Sequence, residues 1–172
     1  MTGALTTPHP LATAAGMEVL RQGGTAPEAL IAAGAVLTVV MPHFCGLGGD
    51  AVWMVVDRKG QQRCFLAIGQ GIDRPAPKGP FPTRGPGSIL TTAAVVDGWD
   101  RAFRHAQTDM GGRARWEDLL APAIALAQDG VAVSPSQAFW GDFRKTESGD
   151  WPGFAAIFKD QGQPLRAGHL LR

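Results

Sequence analysis

PHFCGLGGD, residues 42–50, joins the longest apolar run of the chain to its most strand-like run through three glycines. Upstream, Ala29 to Met41 is apolar apart from Gly34 and Thr38; downstream, Ala51 to Val56 reads AVWMVV. The order is helix, glycine loop, strand. A phosphate-cradling loop needs the reverse, with a strand before the glycines and a helix N-terminus after them aimed at the anion. The spacing Gly46-x-Gly48-Gly49 also fits neither the dinucleotide nor the phosphate-loop pattern. The three glycines are therefore expected to serve a tight loop, through positive φ angles and close backbone approach. Asp50 is expected to cap that loop through its own backbone.

Working outward, the 172 residues, 45% hydrophobic and with a formal net charge of +1, suffice for one globular domain with a core. Lys and Arg are scattered with no run of like charge, which indicates neither a nucleic-acid groove nor a membrane-binding polybasic segment. Cys45 and Cys64 lack the CxxC spacing of a metal or redox pair and are expected to be buried free thiols. His9, His43, His105 and His169 have no ligand spacing, so no metal or other cofactor is expected. No secretory signal is visible, and the Ala29 to Met41 run is too short for a bilayer, which takes about 20 residues. The expectation is a soluble, cytoplasmic chain.

Taken in order, Thr2 to Thr7 is expected as a short strand, followed by an amphipathic helix over Leu11 to Gln22 that Gly23 and Gly24 end. Thr25, with Pro27 in the first turn and Glu28 three residues on, is a capping box opening the apolar helix, which Pro42 stops. Apolar nearly all round, that helix must be the hub of the domain. Ala51 to Val56 and Arg63 to Ile68 then form a hairpin across Asp57 to Gly60, the first strand being apolar enough to require cover on both faces. Gly69 to Gly87 is an ordered surface loop, and Ser88 to Val96 is extended. Trp99, Ala102, Phe103 and Ala106 share a helix face. Trp116 to Gln128 is a further helix with Trp116, Leu120, Ala123 and Ala127 in line, kinked at Pro122 and ended at Gly130. The tail from Gln137 carries Trp140, Trp151, Phe154, Ile157 and Phe158, too many large apolar groups for a disordered end.

Several of these segments, in this order, resemble the gamma-glutamyltranspeptidase family. HPLATAAGMEVLRQGG (His9 to Gly24) resembles its first helix, TAPEALIAAGAVLTVVMPH (Thr25 to His43) its buried second helix and CGLGGD (Cys45 to Asp50) its glycine loop. AAVVDGW (Ala93 to Trp99), DLLAPAIALAQDGVAVSP (Asp118 to Pro135) and GQPLRAGHLL (Gly162 to Leu171) resemble later signatures. The resemblance implies an α+β fold, the N-terminal-nucleophile hydrolase αββα sandwich, of which residues 1–172 form a single partial domain at the N-terminal end of a large subunit. It implies a precursor that cleaves itself, so that the N-terminal threonine of a small subunit attacks an amide carbonyl with its own α-amine as base. The partners implied are that small subunit and a small amide or gamma-glutamyl substrate, with no nucleic acid and no membrane. The nucleophile lies outside these residues, so no catalytic residue is expected here and the chain alone is expected to be inactive.

Gamma-glutamyl enzymes of the family carry an arginine after the hairpin that pairs with the substrate α-carboxylate, a bidentate contact suited to a guanidinium. The matching stretch here is AIGQGIDRPAP (Ala67 to Pro77), in which the strand-end position falls near Gly71. Arg74, three residues later, is the candidate substrate-binding residue, the alternative being a solvated loop arginine. This departure, with Ala93-Ala94 where many relatives have Pro-Gly, leaves room for amidohydrolases of the oxamate type or acylases of the glutaryl-cephalosporin type. Thr2, exposed by loss of Met1, is a weaker nucleophile candidate, because Gly3-Ala4-Leu5 gives no sign of a buried strand start. The competing class is a non-catalytic helix-sheet binding or scaffold domain.

Overall fold

The computed structural model describes residues 3–71, 73, 79–88, 91–146 and 151–172. Its first half holds α1 (Pro10–Arg21), α2 (Ala26–Val40) and the antiparallel hairpin β1 (Ala51–Val56) with β2 (Gln62–Ala67). Its second half holds α3 (Val95–Asp109), α4 (Trp116–Asp129), β3 (Val131–Ala132), α5 (Pro135–Phe143), α6 (Pro152–Phe158), β4 (Lys159–Asp160), β5 (Gln163–Pro164) and β6 (Leu170–Leu171). β3 pairs with β6 and β4 with β5, both antiparallel.

Thr25 opens α2 as the capping box requires: its hydroxyl accepts from the Glu28 amide at 3.4 Å while the Glu28 carboxylate accepts from the Thr25 amide at 2.6 Å. Ile31, Ala32, Val36 and Val40 are then buried on several sides, because α2 is touched by α1, α3, α4 and β3. α1 can lie against it because Gly16 has no side chain; a Cβ there would stand 2.7 Å from the Ala29 carbonyl oxygen. Gly23, at φ 87°, turns the chain between the two helices as expected.

The Glu28 side chain itself is fully buried and pairs with no cation among the described residues. Its charge is met by four donors instead. One oxygen accepts from the Thr25 amide and from its hydroxyl at 2.8 Å; the other accepts from the Ala114 amide and Gln107 Nε2, each at 2.9 Å. Ala114 lies in the α3–α4 connection, so one carboxylate fixes the start of α2 against the far half of the chain. Gly112 completes the fit, since a Cβ at that position would stand 2.7 Å from the same oxygen.

The hairpin register sets Ala51 opposite Ala67, Trp53 opposite Phe65 and Val55 opposite Arg63 on one face. That face packs on α3, where Gly98 admits the Ala67 side chain and Trp99, Ala102 and Ala106 are buried. The other face carries Val52, Met54, Val56, Leu66 and Cys64. It is bare: Val52 is 61% exposed, Met54 83%, Val56 62% and Leu66 65%. The expectation that β1 is covered on both faces is therefore corrected for these residues, and Cys64 is an exposed thiol rather than a buried one.

Other expectations shift as well. Residues 3–7 form no strand; Leu5 instead fills the space over Gly16, and Thr2 lies outside the described residues. Ser88 closes a 3-10 turn (Pro86–Ser88), and among the described residues after it Thr91 forms an isolated bridge to Gly71 rather than part of a longer strand. α3 then starts at Val95. α4 runs through Pro122, and it buries Leu119 and Ala123 while Ala127 is exposed, so its inner stripe is displaced from the expected one. None of Gly46, Gly48 and Gly49 has positive φ. Their loop closes through the Gly49 amide on the Gly46 carbonyl at 3.1 Å, and Asp50 makes no hydrogen bond to it. No described helix is long and apolar enough to cross a membrane.

Glu28→Ala should lower the unfolding free energy by about 3 kcal/mol, because it leaves the part-buried Thr25 and Ala114 amides without their acceptor. Urea denaturation followed by far-ultraviolet circular dichroism measures this, and a loss under about 1 kcal/mol would show that those amides find other partners.

Candidate functional site

The open end of the hairpin is where four segments meet. β1 enters and β2 leaves side by side there, Ala51 facing Ala67. The Gly49 carbonyl accepts from the amides of Ala94 (3.2 Å) and Val95 (2.9 Å), so the glycine loop supplies the cap that no side chain gives to α3. This is a role for the loop that spacing alone did not show.

The loop leaving β2 is tied to the same place. Gly69 has φ 65°, and a Cβ on it would lie 2.0 Å from the Thr92 carbonyl oxygen. The Gln70 amide donates to Thr92 Oγ1 and the Thr92 amide to the Gln70 carbonyl, both at 3.0 Å, before Gly71 bridges Thr91. The first three residues of the loop that leads to Arg74 are thus fixed to the segment that starts α3. Arg74, the candidate substrate-binding residue, lies outside the described residues.

A separate concavity of about 410 Å³ lies between α5, α6, residues 42–44 and residues 83–85. Phe44, Trp140, Trp151, Phe154 and Phe158 form the aromatic part of its walls. The Arg144 guanidinium lies 4.6 Å over the Trp140 ring. His43 holds Ser136 Oγ at 3.1 Å through Nε2, while its Nδ1 is buried with no partner among the described residues. Burial pushes the pKa of this imidazole down. Sequence reasoning missed this cavity, because its parts come from four separated segments whose aromatic residues read as ordinary core.

A third cluster lies beside β2. His105 is buried with its ring 5.6 Å from that of Phe65, and its Nδ1 donates to the Asp109 carboxylate at 2.7 Å. That hydrogen bond, then one from Thr108, holds the Asp109 carboxyl below the usual range. The neighbouring charges pair with one another, Arg101 with Asp97 and Arg104 with Asp100. The cluster fastens α3 to the hairpin. Among the described residues no group of three or more His, Cys, Asp or Glu side chains converges as a metal site does.

The profile of the gamma-glutamyltranspeptidase family matches residues 12–172. The oxamate amidohydrolase proenzyme of Klebsiella pneumoniae is 38% identical over 99% of this chain and 33% of its own length. Glutathione hydrolase 7 of Mus musculus is 32% identical over 99% of the chain and 25% of its own length. The chain therefore spans a third or less of these curated relatives. Among solved structures, the Bacillus anthracis transpeptidase CapD superposes with a TM-score of 0.79 at 26% identity, covering 99% of this chain and 53% of that one. The Helicobacter pylori gamma-glutamyltranspeptidase superposes with a TM-score of 0.82 at 22% identity, covering 99% and 50%, which shows a shared fold.

Two outcomes follow from this geometry. Gly69→Ala should cost about 2 kcal/mol or more of stability, because the added methyl meets backbone and the left-handed conformation strains any L side chain; an unchanged urea midpoint would contradict the anchoring of this loop. For His43, the fold favours the neutral ring, whereas the unfolded chain takes up its proton near the ordinary value of about 6.5. Below that pH the unfolded state binds more protons, so stability falls as pH falls, and His9, also pushed down by burial, acts in the same direction. Between about pH 7.5 and 5.5 the decline in urea midpoint should be shallower in His43→Asn, and an identical slope would remove His43 from the account.

Proposed function

The chain belongs to the gamma-glutamyltranspeptidase family, and from that membership we propose that it contributes to an amide hydrolase or acyltransferase whose nucleophile is the N-terminal threonine of a small subunit outside these residues. Its fold is the α+β one of that family, the N-terminal part of the N-terminal-nucleophile hydrolase sandwich. The observation that carries the proposal is the family match over residues 12–172 together with 38% identity to a relative named as a proenzyme.

In the proposed reaction the threonine Oγ attacks the amide carbonyl carbon while the α-amine of the same residue takes the hydroxyl proton. The C–N bond breaks, the leaving amine departs with that proton, and an ester to the threonine remains. Water or an acceptor amine then attacks the ester carbonyl and releases the threonine. This chain supplies scaffold and one wall. The loop at 69–74, held at its base by Thr91 and Thr92, is proposed to line the acyl pocket, with Arg74 gripping a substrate carboxylate through paired hydrogen bonds.

The bare hairpin face supports a partner subunit over a stand-alone scaffold domain. Val52, Met54, Val56 and Leu66 form one apolar surface on one side of a two-stranded sheet, and such a surface calls for a second layer. On the donor, glycine near the strand-end position and the similarity to an oxamate amidohydrolase favour a small amide over a strictly gamma-glutamyl one.

The test is to express the gene through its downstream coding sequence and read the intact mass. Two chains are expected, the shorter beginning with threonine; an uncut product with no downstream threonine segment would overturn the proposal and leave the scaffold reading. On the processed protein, a panel of oxamate, gamma-glutamyl and glutaryl amides identifies the donor. Arg74→Ala should then raise KM for carboxylate-bearing donors about tenfold or more with little change in kcat, and an unchanged KM would make Arg74 a solvated loop residue.

A further inference from the structure

We propose that the cavity between α5, α6, residues 42–44 and residues 83–85 binds a small aromatic carboxylate. Its volume of about 410 Å³ lies within the range of small-ligand sites. The walls are built by close backbone approach rather than by loose side chains. Gly85 carries the indole of Trp151 so tightly that a Cβ there would stand 2.3 Å from the ring, and Gly141 leaves room for Pro164, whose Cβ would be 3.3 Å away from one. Phe44 meets Trp140 edge-on at 5.7 Å between centroids, and Trp151 meets Phe154 edge-on at 6.1 Å. A flat ring is the shape such walls accept.

The polar groups specify the rest of the ligand. Arg144 is fixed by stacking on Trp140, and a stacked guanidinium keeps its in-plane N–H groups free to grip a carboxylate. Arg84 and Lys159 add positive charge to the lining, and no Asp or Glu is among the described lining residues. A purely apolar occupant would satisfy the rings and leave the Arg144 charge unmet.

Isothermal titration with 1-naphthoate and with neutral 1-naphthamide tests this, on the 172-residue chain and on the protein expressed through its downstream sequence. The carboxylate should bind at least tenfold more tightly than the amide, about the advantage of a charge-assisted pair. Arg144→Gln should abolish that difference while leaving amide binding unchanged. Lys145→Gln, one residue on and outside the cavity lining, should leave it intact. Equal affinity for the two probes, no binding, or an equal effect of the two substitutions would each overturn the proposal. So would binding by the 172-residue chain that vanishes in the longer protein, since the cavity would then be filled by the protein itself.

Discussion

A single buried carboxylate determines how the two halves of this chain meet. Glu28 has no counter-ion among the described residues, and in a fully buried position four hydrogen bonds replace the water it gave up. Two of those donors belong to its own helix start, and two belong to the end of α3 and the connection beyond it. The geometry of α2 and that of the α3–α4 connection are therefore not independent variables. Gly112, whose added methyl would stand 2.7 Å from one Glu28 oxygen, is a space left for that carboxylate.

With α2 fixed, the remaining elements take their places by burial. α1 closes on it through Gly16, α4 through Leu119 and Ala123, and α3 through Trp99, which lies beside Gly34. α3 in turn carries the inner face of the hairpin, whose first strand the glycine loop joins directly to α2. The Gly49 carbonyl ties that loop to α3 by capping it. The end of the hairpin, the base of the loop at 69–71 and the start of α3 form one mechanical unit.

Where the controlling interaction was local, the residues announced it. The Thr25 and Glu28 pair, the turn at Asp57 to Gly60, and the helix ends at Gly23 and Gly130 could each be read within a few residues, because caps and turns are decided by backbone geometry over that span. The second half of the Glu28 network could not be read, since Ala114 is 86 positions away. Uniform apolarity in β1 signalled a need for cover and not whether these residues supply it. Periodicity placed α4 correctly yet put its buried stripe through Ala127, because Leu126 rather than Ala127 packs toward the core. At the site, Arg74 was reached through family resemblance alone, and the aromatic cavity through neither pattern nor resemblance, being made by residues more than a hundred positions apart in sequence.

The bare side of the hairpin has a consequence for how this protein stays in solution. AVWMVV is a six-residue segment with strong β preference, no charge and no proline, and β1 has a hydrogen-bonded neighbour on one edge only among the described residues. Those are the properties of segments that stack into cross-β aggregates. Asp57, Arg58 and Lys59, in the turn after the strand, and Arg63, near the start of its partner, are the charges that stand guard over it. A second layer over this face would thus serve colloidal stability as well as architecture, by hiding the strand that the chain can least safely leave exposed.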